Sequence, residues 1–216
     1  MERESMISIA RLLLFFVITM GYNAFFRNTV KMNRSLTWVF TFSVITLVLY
    51  LGSLLGFMLQ TVYVISVLGC LLSLYYLWAV WKEKYRFGRL DYIALGMMAY
   101  LLLFGITLWH SPLLHYDNFT HWATIVKFFH INNALPTQQD TIISYYTYPV
   151  GSSLFIYFFT TIVGFSEGSM LVGQFFLIAS SLYAMFAALR DDRRVLMVSM
   201  IFASFAVLIR STLLFD

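Results

Sequence analysis

The chain has 216 residues, of which 61% are apolar and only 11% charged, and its mean hydropathy is +0.80. Its apolar runs reach the roughly 20 residues that cross a hydrocarbon core and are apolar on every face, which excludes a soluble globular domain and a β-barrel with alternating strands. The basic residues behind the net charge of +4 cluster in short segments between the runs, where they read as topology signals; no nucleic-acid partner is expected.

In chain order, the runs predict spans at about 7 to 26, 36 to 58, 61 to 81, 91 to 110, 148 to 164, 169 to 189 and 195 to 214. The fold class is therefore all-α, a polytopic transmembrane helix bundle of about seven spans. The first run is longer than a signal-peptide core and lacks a small-residue cleavage site, so it is expected to be retained. Arg27, Lys31 and Arg34 follow it, and Lys82, Lys84, Arg86 and Arg89 follow the third run; by the positive-inside rule both connections are cytoplasmic. The turn between spans two and three, near Leu59 and Gln60, carries no charge. The single cysteine, Cys70, lies inside an apolar run and reads as a small packing residue.

The fourth span then exits to the outside, where a polar island runs from Ser111 to Tyr148 with Lys127 as its only Lys or Arg. All three prolines, Pro112, Pro136 and Pro149, lie in or beside it. Either the run 148 to 164 dips in without crossing or it crosses fully; full crossing is preferred, because seventeen residues just reach across and a helix satisfies its own backbone. That choice leaves Arg190, Arg193 and Arg194 on the outside, a mild conflict with the positive-inside rule. The last run stops two residues before the end at Asp216, which suggests the front part of a longer protein.

Within the island, the spacing from Asp117 to Phe129 predicts an amphipathic helix lying in the membrane interface. Trp122, Ile125, Val126 and Phe129 fall on one side; Asp117, Thr120, His121, Thr124 and Lys127 fall broadly on the other. Asp117 and His121, four residues apart, would share the polar face, placing a partly desolvated carboxylate beside an imidazole that can orient it as a general base. The structural alternative is that Asp117 caps the helix while His121 and Trp122 anchor the interface. His110, His115 and His130 form no zinc spacing and read as loop or interfacial histidines. Lys127 is placed to meet a phosphate, of a lipid headgroup or of a lipid-linked substrate. Tyr145, Tyr146 and Tyr148 with Pro149 suit a helix start at the interface.

Asp117 at the outer end of a span, the interfacial helix, Asn133-Ala134-Leu135-Pro136, and Tyr148-Pro149-Val150-Gly151 entering the next span together resemble the GT-C class of integral membrane glycosyltransferases. The resemblance covers about residues 90 to 194. It implies a three-span N-terminal region, 1–90, ahead of a GT-C-like region, 91–216, that is incomplete at its C-terminus and holds the extracytoplasmic loop 111–147. It further implies that Asp117 is the catalytic base for inverting transfer of a sugar from a polyprenyl-phosphate donor to a glycan or lipid acceptor, in a bacterial plasma membrane. His121, Lys127 and Tyr148 would then be substrate-binding. Three departures stand out: Asn118 occupies the place where many members carry a second acid, which weakens the case for a divalent metal; Val150 replaces a second proline; and three spans precede the one that would be the family's first. No cofactor follows from the residues themselves, and neither a phosphate-binding P-loop nor a dinucleotide fingerprint occurs.

Two other functions fit the composition. A permease, flippase or assembly subunit for cell-envelope polysaccharide would place ionisable or helix-breaking residues near mid-membrane, whereas spans two to six hold almost none and Arg210 in the seventh lies near an end. A silent membrane fragment would use small residues such as Gly52, Gly56 and Ala179 for helix contacts.

Overall fold

The computed structural model describes residues 2–82, 84, 92–143, 146–188 and 193–209. Arg86, Arg89, Arg190 and Arg210 lie outside them. The regular structure of the described residues is all helix, with no strand among them: α1 (Glu2–Thr29), α2 (Arg34–Leu54), α3 (Met58–Trp81), α4 (Tyr92–Trp109), a π-helical turn (Asn118–Trp122) leading into α5 (Ala123–Asn132), α6 (Gly151–Val163), α7 (Glu167–Met185) and α8 (Arg194–Ile209). The all-α bundle expected from the sequence is the architecture observed. Four stretches are long and apolar enough to cross a membrane, Ile9–Thr29, Arg34–Leu54, Met58–Trp81 and Glu167–Met185, while Ile93–Trp109 and Gly151–Val163 are shorter apolar helices. Leu13, Leu47, Leu51, Leu71, Leu74 and Leu102 point outward and are at least half exposed, a belt that only lipid would cover without cost. The chain is a helical membrane protein.

Local sequence sets the helix ends. Asn33 caps α2 by accepting the Ser35 N–H at 2.9 Å, and Ser166 opens α7 with a reciprocal capping box to Ser169. Between α2 and α3, Gly56 takes φ +81°, which lets the Phe57 N–H reach back to the Gly52 carbonyl at 2.8 Å and close a tight hairpin.

Two close approaches lock the bundle. In the first, α1 meets α3 with glycine against glycine: a Cβ on Gly21 would overlap the Gly69 carbonyl oxygen, and one on Gly69 would lie 2.7 Å from the Ile18 carbonyl. The contact is sealed by hydrogen bonds from Ser73 Oγ to the Val17 carbonyl and from Tyr22 Oη to the Ile65 carbonyl. In the second, Gly168 at the start of α7 lies against the Trp109 carbonyl at the end of α4. Farther along, the Phe175 ring meets Tyr100 and Phe104 at 5.7 and 6.1 Å. The two helices are therefore antiparallel neighbours, and the chain that leaves α4 returns to the same end to begin α7.

This arrangement fixes the place of α6. Its 13 residues span about 20 Å, less than the roughly 30 Å of a hydrocarbon core. Gly151 at its start lies against Thr46, near the middle of α2. Its rings then pack on Phe42 (Phe155, 4.7 Å) and Phe15 (Phe159, 4.8 Å), and Val163 leads through Gly164 and Ser166 directly into α7. Every residue from Ser153 to Thr160 is buried, so the helix has no lipid-facing side. The expected full crossing by 148–164 is not what the structure holds. The run enters the bundle to mid-depth and leaves at the end by which it came, because its aromatic side chains find partners on α1, α2 and α7. In consequence α7 runs toward the end that holds Arg27 and Arg34. The conflict with the positive-inside rule, created by a seventh crossing, disappears.

Candidate functional site

The polar-island end is assembled from the segment after α4. The Leu113 N–H donates to Glu167 Oε2 at 2.9 Å, so an acid in the first turn of α7 ties down the beginning of the island. The chain then turns into helix at Tyr116 and passes through the π turn, in which the Ala123 N–H reaches back to the Asn118 carbonyl. The Thr124 hydroxyl donates to the Phe119 carbonyl at 2.7 Å, which supplies a partner for a carbonyl displaced by the wider turn.

The π turn alters the expected faces. Ile125, Val126 and Phe129 are buried as their spacing predicts, but His121 is buried with them, at 4% exposure, instead of sharing a polar face with Asp117 and Lys127. The extra residue per turn rotates the segment before Ala123 relative to α5, so spacing counted at 3.6 residues per turn misplaces it. The His121 ring packs edge-on against Trp122 at 4.5 Å and Tyr148 at 4.9 Å. Burial lowers its pKa, and the negative charge of Asp117 only partly opposes this, so the imidazole is neutral near pH 7.

Asp117 has helical backbone angles, φ −63° and ψ −22°, and its side chain makes no capping hydrogen bond. The structural alternative of a capping Asp117 thus does not hold. Its carboxylate is 57% exposed. His115 lies beside it with Nδ1 at 3.6 Å from Oδ2, but the same Nδ1 is the acceptor for the Asp117 backbone N–H at 3.2 Å. Lys127 is exposed on α5, and among the described residues no hydrogen bond or ion pair joins it to Asp117. Tyr148 is half exposed, with its ring over His121. The structure thus brings Asp117, His121 and Tyr148 to one locality and leaves Lys127 at its water-facing edge. Among the described residues no three of His, Cys, Asp and Glu gather to hold a metal ion.

A second cluster, which sequence spacing does not reveal, fastens α5 to α6. His130 Nε2 lies 2.8 Å from Thr160 Oγ1, whose single proton goes to the Ile156 carbonyl at 2.8 Å; His130 must therefore be the donor. The Tyr157 hydroxyl donates to Asn133 Oδ1 at 2.8 Å, and Asn133 takes the left-handed conformation, φ 50°, that ends α5. The His130 ring also packs on Tyr157 and Phe165, and burial lowers its pKa. His130, expected as a loop or interfacial histidine, fastens α5 to α6. Asp140 is spent locally, its carboxylate accepting from the Thr137 N–H at 2.7 Å and the Thr137 hydroxyl at 2.9 Å. No protein-family model, no curated protein and no solved structure matches this chain.

Proposed function

We propose that the chain is a membrane glycosyltransferase that moves a sugar from a polyprenyl-phosphate donor to a glycan or lipid acceptor, with Asp117 as its base, on the extracytoplasmic side of a bacterial plasma membrane. The observation that carries this reading is the Asp117 carboxylate itself, which stands exposed at the polar-island end and free of capping duty. In the step proposed, Asp117 takes the proton of the acceptor hydroxyl, the acceptor oxygen bonds to the anomeric carbon, and the bond from that carbon to the phosphate oxygen breaks. Polyprenyl phosphate leaves with the electron pair. A neutral, buried His121 gives little to a phosphate, so the contact to the leaving group falls to Lys127 at the rim, while Tyr148 and His121 form the floor beneath the acid. The resemblance stated above supplies the donor class, and the basic residues on the opposite end supply the orientation.

The test is incorporation of sugar from endogenous polyprenyl-phosphate donors into cell-envelope glycan, compared among cells carrying the complete reading frame, its Asp117→Asn variant, or no copy. Loss of incorporation in both the variant and the deletion, with variant protein still in the membrane, is the expected outcome. Loss in the deletion alone would assign the protein a transport or assembly role that does not use this carboxylate.

A further inference from the structure

At the opposite end of the bundle, α1, α2, α4 and α7 enclose a cavity of about 400 Å³ whose lining changes character with depth. Arg27 and Arg34 stand at its mouth, beside the connection between α1 and α2. One helical turn farther in come Asn23 and Trp38, each four residues from the arginine on its own helix, and beyond them the wall is apolar, with Met97 of α4 and Phe176 of α7. From Arg27 to the deepest lining residue on α1, Phe16, the rise is about 16 Å. Asn23 is 6% exposed, and its Nδ2 has no hydrogen-bond partner. A donor left unmade at such depth costs stability unless something fills the cavity and accepts from it.

We propose that this cavity binds one lipid with a phosphate head, drawn from the leaflet on the arginine side, with its phosphate on Arg27 and Arg34 and its chain in the apolar part. Two guanidiniums match the acceptor oxygens of a phosphate, and basic pockets between helices at the cytoplasmic surface are where anionic lipid heads are held. Asn23 accounts for the boundary between head and chain, because its amide can donate to a phosphate or ester oxygen just below the arginines. A free anion is disfavoured by the lining, which is mostly hydrocarbon and extends well past the last polar group. The site lies at the end of the bundle away from Asp117 and does not depend on the activity proposed there.

Native mass spectrometry of the detergent-solubilised full chain tests this, with dimyristoyl phosphatidic acid, dimyristoylglycerol and inorganic phosphate as probes. One phosphatidic acid per chain is expected, bound at least tenfold more tightly than the diacylglycerol with the same chains, and not displaced by millimolar inorganic phosphate. The double variant Arg27→Gln, Arg34→Gln should weaken it at least tenfold, and Arg27→Lys, Arg34→Lys should restore most of the binding, which separates lost charge from lost fold. Asn23→Leu should weaken binding several-fold while leaving the lipid-free protein as heat-stable as wild type or more so, since it removes an unpaired donor. Equal retention of diacylglycerol and phosphatidic acid, undiminished binding in the Gln variant, or displacement by inorganic phosphate would each overturn the proposal.

Discussion

Single residues at the polar-island end divide into those that stay available and those already engaged. Asp117 makes no capping bond, whereas Asp140 accepts twice from Thr137 to hold its turn. Asp117→Asn should abolish sugar transfer with normal membrane insertion; Asp140→Asn should leave transfer largely intact and loosen only the 137–140 turn, as assayed by sugar incorporation beside a protease-digestion pattern. His130→Ala should cost about 1 kcal/mol through the lost bond to Thr160, measured by thermal unfolding in detergent. Both His121 and His130 have pKa values lowered from 6.5 by burial. The unfolded chain therefore binds more protons than the folded one just below pH 6.5, so stability is fully present above that pH and falls as the solution is acidified through it. Unfolding temperatures should be level above about pH 7 and decline below 6.5, with a shallower decline in His130→Gln. Asp117 was legible in the sequence as an acid at the foot of a span. The burial of His121 was not, because a π turn leaves no periodic signature and a spacing of four is assigned to one face by default.

Among the helices, the apolar runs gave type and order directly, and the bounds differ by a few residues where charge was assumed to end a helix. The first span, expected at about 7 to 26, is Ile9–Thr29, within a helix that extends back to Glu2 because a helix carries charged residues past the hydrocarbon edge at little cost. Helix contacts were less legible, because they join residues far apart in sequence. The glycines show this: Gly21 and Gly69 touch backbone across α1 and α3, while Gly96 and Gly105 of α4 have open space where a Cβ would go. Gly21→Ala or Gly69→Ala should destabilise the protein by about 1–3 kcal/mol, whereas Gly96→Ala and Gly105→Ala should be neutral or stabilising by up to about 1 kcal/mol through helix propensity. A thermal-unfolding series in one detergent decides this, and equal losses at all four positions would contradict the packing described.

For the whole molecule, the number of crossings is the property that hydropathy left open, since an apolar run of seventeen residues reads the same whether it faces lipid or the interior of a bundle. With α6 entering and leaving at one end, the residues before α1's partner α2 and those after α7 share a side, and the polar island lies on the other. In a Cys70→Ser background, Gln138→Cys should react with a membrane-impermeant maleimide added to intact cells, and Arg193→Cys and Lys31→Cys should react only after the membrane is opened. Labelling of Arg193→Cys in intact cells would restore the full crossing by α6.

The complete burial of α6 also dictates an order of assembly. A segment that stops at mid-depth and shows no face to lipid cannot be left in the bilayer by the insertion machinery as a span in its own right. Phe155 and Phe159 find their partners on α1, α2 and α7, so α6 is expected to take its place only once those three helices stand, an order that the burial of cysteines placed on α6 in arrested chains of increasing length would check. Until that moment the other helices surround a vacancy the size of a helix, the stage at which the nascent protein is most exposed to aggregation and to the cell's membrane proteases.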